Sequence, residues 1–381
     1  MKSVIKYVAL VHLLSFLAIF GQNQLSNNPF PLYPDGEVKN VILMIGDGMG
    51  IGQITSVRLQ RIGRDGYLNI EKFPVTGLVR THSADDIITD SGASATALAS
   101  GYKTNSLMVG MTPDSVSVVT LLEAFAKTGK KTGLIVTSGI THATPACFAA
   151  HVSSRWMYDQ IAVEMIETGP DIMLGGGLKH FIPNSMDSIS RKDEINVLEM
   201  AEEKGYTILK TKDDLNETSA TQLLGLFNIG ALKHDSLEPT LSEMTQKGLE
   251  VLKNHSEGFF LMVEGSQIDW ASHDNDFAYL QREMLSFDQA IRVAVDFAIE
   301  NGNTLVLVTA DHETGGLTID DGKEKDVRLK WASKHHSGTM VPIFAFGPHA
   351  QRFSGVLDNT DIPKIIADIT GLKDFPQKQS R

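Results

Sequence analysis

Six short apolar runs, NVILMIG, KTGLIVTS, DIMLGG, GFFLMVEG, TLVLVTAD and VPIFAFG, recur along the chain with helix-like segments between them. They are nearly unbroken by polar residues and rich in β-branched ones, the pattern of strands covered on both faces; a strand with one wet face would alternate. The intervening segments SVVTLLEAFAKTG, WMYDQIAVEMIET, TLSEMTQKGLEVLK, YLQREMLSFDQAIRVAVDFAIENG and DIPKIIADITGL space their apolar residues as helices do. This alternation predicts an α/β fold, a mostly parallel central sheet with helices on both faces. The less regular stretch from about 179 to 236 is expected to be a small excursion from that sheet.

Residues 1–21 place Lys2 and Lys6 ahead of the apolar VALVHLLSFLAIFG, too short to cross a bilayer comfortably, and are expected to be a secretory signal with an approximate cleavage point. The expected location is then periplasmic or secreted. Residues 22–381 are read as a single domain. No stable membrane anchor is expected, because no other segment is apolar enough and the terminal LKDFPQKQSR is polar. The chain carries 34 basic and 46 acidic residues, a formal charge of −12, which argues against broad binding to a nucleic-acid backbone. An anionic substrate would need local cations. Cys147 is the one cysteine, so ligands for a metal must come from His, Asp and Glu.

In open sheets of this class, ligands sit beyond the carboxyl ends of the strands. Asp47 directly follows the first run. Glycines at 46, 48 and 50 loosely imitate a phosphate cradle, but a carboxylate among them would repel phosphate, so a metal between the two is the better reading. Glu264 ends GFFLMVEG and is followed by Asp269 and His273, whose i, i+4 spacing puts them on one face if a helix starts there. Asp311 and His312 end TLVLVTAD and can share an ion only if the strand has stopped, since neighbours in a strand face opposite ways. His335 and His336 precede VPIFAFG. Each feature alone is an ordinary turn or surface group. Delivered together to one sheet edge, they form a mixed carboxylate and imidazole set suited to Zn²⁺ where histidines dominate and to Mg²⁺ where oxygens do.

The stretch TDSGASATALASG opens a helix with Asp90, Ser91 and Gly92 and continues it with small residues. A serine there lies where backbone NH groups and the helix dipole favour an anion, and a nearby metal can lower its hydroxyl pKa. The competing reading of Ser91 is a plain N-cap. Small side chains allow close packing. Arg155 in HVSSRW is the type of residue that grips phosphate bidentately.

The motifs IGDGMG, TDSGASATALASG, HATPACFAAHVSSR, VEGSQIDWASHD, TADHETGG and HHSGT…FGPHA closely resemble those of the alkaline phosphatases, from about Lys39 to Leu372. The resemblance implies metal-dependent hydrolysis of phosphate monoesters to an alcohol and inorganic phosphate through a phosphoserine. It gives Ser91 as nucleophile, Arg155 as phosphate clamp and Asp90 as the residue orienting it. It implies two Zn²⁺ and one Mg²⁺ per chain: Asp269, His273 and His336 for the first zinc; Asp47, Asp311 and His312, joined by deprotonated Ser91, for the second; and Asp47, Thr144 and Glu264 for the third site. His142 and Trp270 stand near that third site, where some bacterial relatives carry Asp and Lys and others His and Trp. Gly92 replaces a common alanine and is expected to loosen the first helical turn. The interval from His312 to His336 is short for the family, so no large crown-like insertion is expected. Homodimers are common in the family. The alternative is phosphodiesterase or sulfatase activity on the same scaffold, but Ser91 with Arg155 favours monoesters. A non-catalytic phosphate-binding protein is disfavoured because neither the nucleophile nor any zinc ligand is missing.

Overall fold

The computed structural model describes residues 29–185 and 191–379. The proposed signal, residues 1–21, lies outside the described residues. Fourteen strands are present among them: β1 (Asn40–Gly46), β2 (Val75–Arg80), β3 (Lys131–Gly139), β4 (Ile172–Gly176), β5 (Thr207–Leu209), β6 (Leu223–Leu226), β7 (Phe259–Gly265), β8 (Thr304–Thr309), β9 (Glu313–Thr314), β10 (Thr318–Lys323), β11 (Asp326–Lys330), β12 (His336–Ser337), β13 (Val341–Phe346) and β14 (Gly355–Asp358). Ten of them form one sheet in the order β14-β2-β13-β8-β1-β7-β3-β4-β6-β5. All its pairings are parallel except those of β13, which runs against both β8 and β2.

The apolar runs become strands because a sheet buried on both faces rewards continuous hydrophobicity: every residue of β1, β7 and β8 is buried. Register then decides the chemistry. Ile45 pairs with Glu264 on one side and with Thr309 on the other, so the carboxyl ends of β1, β7 and β8 lie level. Asp47, Glu264 and Asp311 therefore emerge at one rim. Helices pack in two groups. The 25-residue helix Phe277–Asn301 turns Leu280, Met284, Phe287, Ile291 and Val295 inward and contacts helices Leu241–Leu252 and Ile51–Arg61. Helix Ser91–Ser100, buried along its whole length, packs against Ala143–Ala149. Its alanines and serines permit that close approach.

The excursion expected between 179 and 236 does not leave the sheet. Leu223–Leu226 pairs in parallel with β4, and Thr207–Leu209 pairs with β6, so the segment builds the sheet's edge. Strands of four and three residues are too short to display a period. Between His312 and His336 lie only the two-residue strand β9 and the exposed, highly charged hairpin β10–β11, so no large insertion is present. Among the described residues no helix is long and apolar enough to cross a membrane.

Candidate active site

Asp90, not Ser91, is the N-cap of its helix: the Asp90 carboxylate accepts from Gly92 N and Ala93 N, each at 3.1 Å. Ser91 is the first helical residue, buried, with Oγ 3.4 Å from His312 Nε2. Gly92 sits where this turn is closely packed. A Cβ there would stand 3.1 Å from Met108 O and 3.2 Å from the Asp90 carboxylate, so the missing side chain allows a close approach. The same holds at Gly48, with φ +72, where a Cβ would meet Asp269 at 2.8 Å.

Three sets of potential ligand atoms lie within 4.8 Å of one another: Asp269, His273 and His336; Asp47, Asp311 and His312; and Asp47, His142 and Glu264. The helix Gln267–Asp274 begins just after β7 and brings Asp269 Oδ1 to 3.4 Å from His273 Nε2. Strand β8 stops at Thr309, which frees Asp311 and His312 from strand alternation; His312 Nε2 lies 3.2 Å from Asp311 Oδ2 and 3.6 Å from Asp47 Oδ1. His336 reaches in from β12 and stacks on His312, ring centroids 3.6 Å apart. His335 is exposed and belongs to no set. His142 contributes to the third set, a closer role than the neighbouring one expected of it. Thr144 sits two residues on, in helix Ala143–Ala149, with its Oγ1 buried and unpaired. Trp270 packs edge-on against the His142 ring at 5.7 Å.

The donor set fits cations. His273 Nδ1 donates to Lys334 O at 2.6 Å and His336 Nδ1 donates to Thr89 O at 2.8 Å; carbonyls only accept, so both Nδ1 atoms carry protons. Each ring is thus left with Nε2 as the atom it can offer an ion, and the two Nε2 atoms lie 3.1 Å apart beside the Asp269 carboxylate. Both oxygens of Asp47, Asp311 Oδ2 and Glu264 Oε1 are buried without a hydrogen-bond partner. Such groups are costly unless something positive satisfies them.

The electrostatics of these groups point the same way. Burial first, and then the charges of Asp311, Asp269 and Glu264, push Asp47 well above the usual carboxylate range. Burial raises Glu264 to about 8. The hydrogen bond from His273 and the histidines around Asp269 outweigh its burial and hold it low, while the same hydrogen bond lifts His273 to about 9. Burial lowers His336 to about 4 and His142 to about 3, keeping both neutral and able to act as ligands.

Arg155 provides the fixed cation. Its Nη1 donates to Asp90 Oδ2 at 2.8 Å and its Nη2 to His142 Nε2 at 3.3 Å, leaving a buried, unpaired Nε. Asp90 therefore joins three tasks, since it also accepts from Leu107 N at 3.0 Å. Burial works against the guanidinium charge, but Asp90 more than offsets it and holds the Arg155 pKa above its ordinary value. Sequence reasoning missed several supporting groups. Thr314 Oγ1 donates to Asp269 Oδ1 at 2.5 Å and lies 3.3 Å from His312 Nδ1, and Ser266 Oγ donates to Glu264 Oε2 at 2.6 Å. Each stands two residues from a candidate ligand, which was the one available signal.

A parallel α/β sheet whose rim gathers three potential metal sites around a serine at a helix start defines a metallohydrolase class. Comparison with known proteins narrows it: the alkaline phosphatase profile matches residues 38–327 and 323–372. The chain is 35% identical to alkaline phosphatase 4 of Bacillus subtilis (strain 168), over 87% of this chain and 89% of that one. That alignment runs over 418 positions, more than the 381 of the chain, so the relative carries insertions absent here. The alkaline phosphatase of Escherichia coli (strain K12) is 32% identical, over 89% of this chain and 87% of its own. The structure of alkaline phosphatase from the Antarctic bacterium TAB5 superposes with a TM-score of 0.80 at 36% identity, covering 89% of this chain and 100% of that one. The chain belongs to the alkaline phosphatase family.

Proposed function

We propose that this protein hydrolyses phosphate monoesters through a phosphoserine formed on Ser91. The observation that carries the reading is the position of Ser91 Oγ, 3.4 Å from His312 Nε2 at the positive end of a buried helix. Arg155, held by Asp90, binds two oxygens of the phosphoryl group and keeps phosphorus in line with Ser91 Oγ. The Oγ–P bond forms as the bond from phosphorus to the alcohol oxygen breaks; water then cleaves the phosphoserine, restoring Ser91 and releasing inorganic phosphate.

Two Zn²⁺ fit the sets Asp269/His273/His336 and Asp47/Asp311/His312, and one Mg²⁺ fits the set of Asp47, Glu264 and His142, with the buried Thr144 hydroxyl as a further oxygen. When bound, such ions supply Lewis acidity that lowers the Ser91 hydroxyl pKa and neutralises charge on the phosphoryl and departing oxygens. Their positive charge, with Arg155, explains how a chain of formal charge −12 accepts an anion. Residues 22–381 act as one catalytic domain, exported after removal of residues 1–21, and two copies form a homodimer. The leading lysines and apolar run support export; the family's habit supports the dimer, which sedimentation would test.

Phosphate release from p-nitrophenyl phosphate, a matching diester and a sulfate ester tests the activity, with Ser91→Ala and a chelator as controls. Monoester turnover far above the other two, abolished by both controls, is expected. Comparable diester turnover would contradict the reading.

A further inference from the structure

A second hydroxyl on the nucleophile helix lies in a hydrogen-bond chain whose direction is fixed at its far end. Lys103 Nζ can only donate, and it donates to Asn359 Oδ1 at 2.7 Å and to His82 O at 2.6 Å, with Asp358 Oδ1 at 3.1 Å. The amide oxygen of Asn359 must therefore face Lys103. Its Nδ2 consequently faces the other way, where it donates to Ser94 Oγ at 3.1 Å and to Thr81 O at 3.5 Å. Having accepted that bond, Ser94 Oγ directs its single hydrogen to Asp311 O at 2.6 Å. Ser94 and Asn359 are fully buried, so water is not at hand to replace either partner.

The two ends of this chain matter. Ser94 follows Ser91 by three residues, on the same helical face. Asp311 accepts from Gly48 N at 3.1 Å and His312 N at 2.8 Å through Oδ1, which leaves Oδ2 free to serve an ion. Ser94 thus anchors the backbone of Asp311 while two NH groups anchor its carboxylate. We propose that Ser94 and Asn359 are positioning residues: they hold the Asp311–His312 segment at a set distance from Ser91, with Lys103 fixing the polarity of the chain. This rests on the reading that Ser91 is the nucleophile and that Asp47, Asp311 and His312 bind an ion.

Two variants separate orientation from mere packing. Ser94→Ala deletes the hydroxyl. Asn359→Asp keeps it and gives Lys103 a carboxylate partner, but a carboxylate can only accept, so the Ser94 hydrogen turns toward it and away from Asp311. Ser100→Ala is the control: Ser100 is equally buried on the same helix but donates to Thr96 O at 2.7 Å, outside the chain. For each variant, kcat and KM on p-nitrophenyl phosphate, the melting temperature, and Zn²⁺ affinity of the metal-stripped protein against a chromophoric chelator are measured. Both Ser94→Ala and Asn359→Asp are expected to lose about tenfold in kcat and about tenfold in Zn²⁺ affinity, as loss of a group supporting a ligand does, with KM little changed. Asn359→Asp should melt near the wild type, and Ser100→Ala, which loses its own bonds to Thr96 O and Tyr102 N, should match the wild type in kcat, KM and Zn²⁺ affinity. Wild-type kcat and Zn²⁺ affinity in either Ser94→Ala or Asn359→Asp would overturn the proposal. Activity surviving in Ser91→Ala would instead overturn the reading beneath it.

Discussion

Asp90→Ala and Asp90→Asn, compared under saturating Zn²⁺ and Mg²⁺, probe how one carboxylate serves both helix and clamp. In the wild type it caps the helix through two NH groups, accepts from Leu107 N and pairs with Arg155 at 2.8 Å. Removing an Asp cap costs about 1 kcal/mol. Stripping the partner from a buried charge costs about 3–5 kcal/mol. Arg155 keeps its bond to His142 Nε2 when the carboxylate is gone, so the low end applies. Asp90→Ala should then lose about 4 kcal/mol in all. Asparagine keeps one oxygen, enough for Ala93 N and Leu107 N, but turns an NH2 toward Gly92 N and Arg155, so it retains part of the cap while losing the charge and its bond, and Asp90→Asn should lose about 3 kcal/mol. Urea unfolding at constant metal concentration measures both, and KM for a monoester should rise in each as Arg155 loses its fixed geometry. Equal losses in the two variants, or a loss below about 1 kcal/mol in Asp90→Ala, would refute the division between cap and charge.

Other expectations concern the ions and the pH. Replacing His142 by Asp adds an oxygen donor and a negative charge beside Asp47 and Glu264, so Mg²⁺ should bind about tenfold more tightly, while the metal-free protein should become less stable; calorimetric titration and melting curves check the two halves. Because Glu264 is pushed up to about 8, Mg²⁺ binding to metal-free protein should release protons at pH 7 and release fewer near pH 10, seen as a buffer dependence of the binding heat. His151 Nε2 lies 3.1 Å from Glu123 Oε1; burial lowers its pKa, but the bond and charge of Glu123 raise it more. A folded-state pKa raised above the unfolded one contributes stability below the unfolded value of about 6.5 that is lost as pH rises through the folded value. The stability gap between wild type and His151→Gln should therefore shrink from pH 6 to pH 9, and a growing gap would contradict the assignment.

The strands nearest the site were legible because burial on both faces writes itself as unbroken hydrophobicity, as in β1, β7 and β8. β2 was hidden: VTGLVR is half-exposed and interrupted by Gly77. β14 is mostly exposed and only four residues long. The reversed direction of β13 leaves no mark in VPIFAFG itself. At the site, polar residues at or just beyond the ends of apolar runs marked the candidate ligands, since the topology makes that edge the binding edge. Nothing local announced the link from Lys103 through Asn359 to Ser94, because Asn359 lies 256 residues from Lys103 and 265 from Ser94. The cap fell to Asp90 rather than Ser91 because a carboxylate can accept from two NH groups, from Leu107 and from Arg155 together.

The most direct test of the central claim is intact-mass and peptide analysis after acid quenching of the metal-saturated enzyme during monoester turnover. One phosphoryl group per chain, located on Ser91 and absent from both Ser91→Ala and chelator-treated protein, is the predicted result. Undiminished turnover with no phosphorylated Ser91, or with the phosphoryl group on another residue, would contradict it.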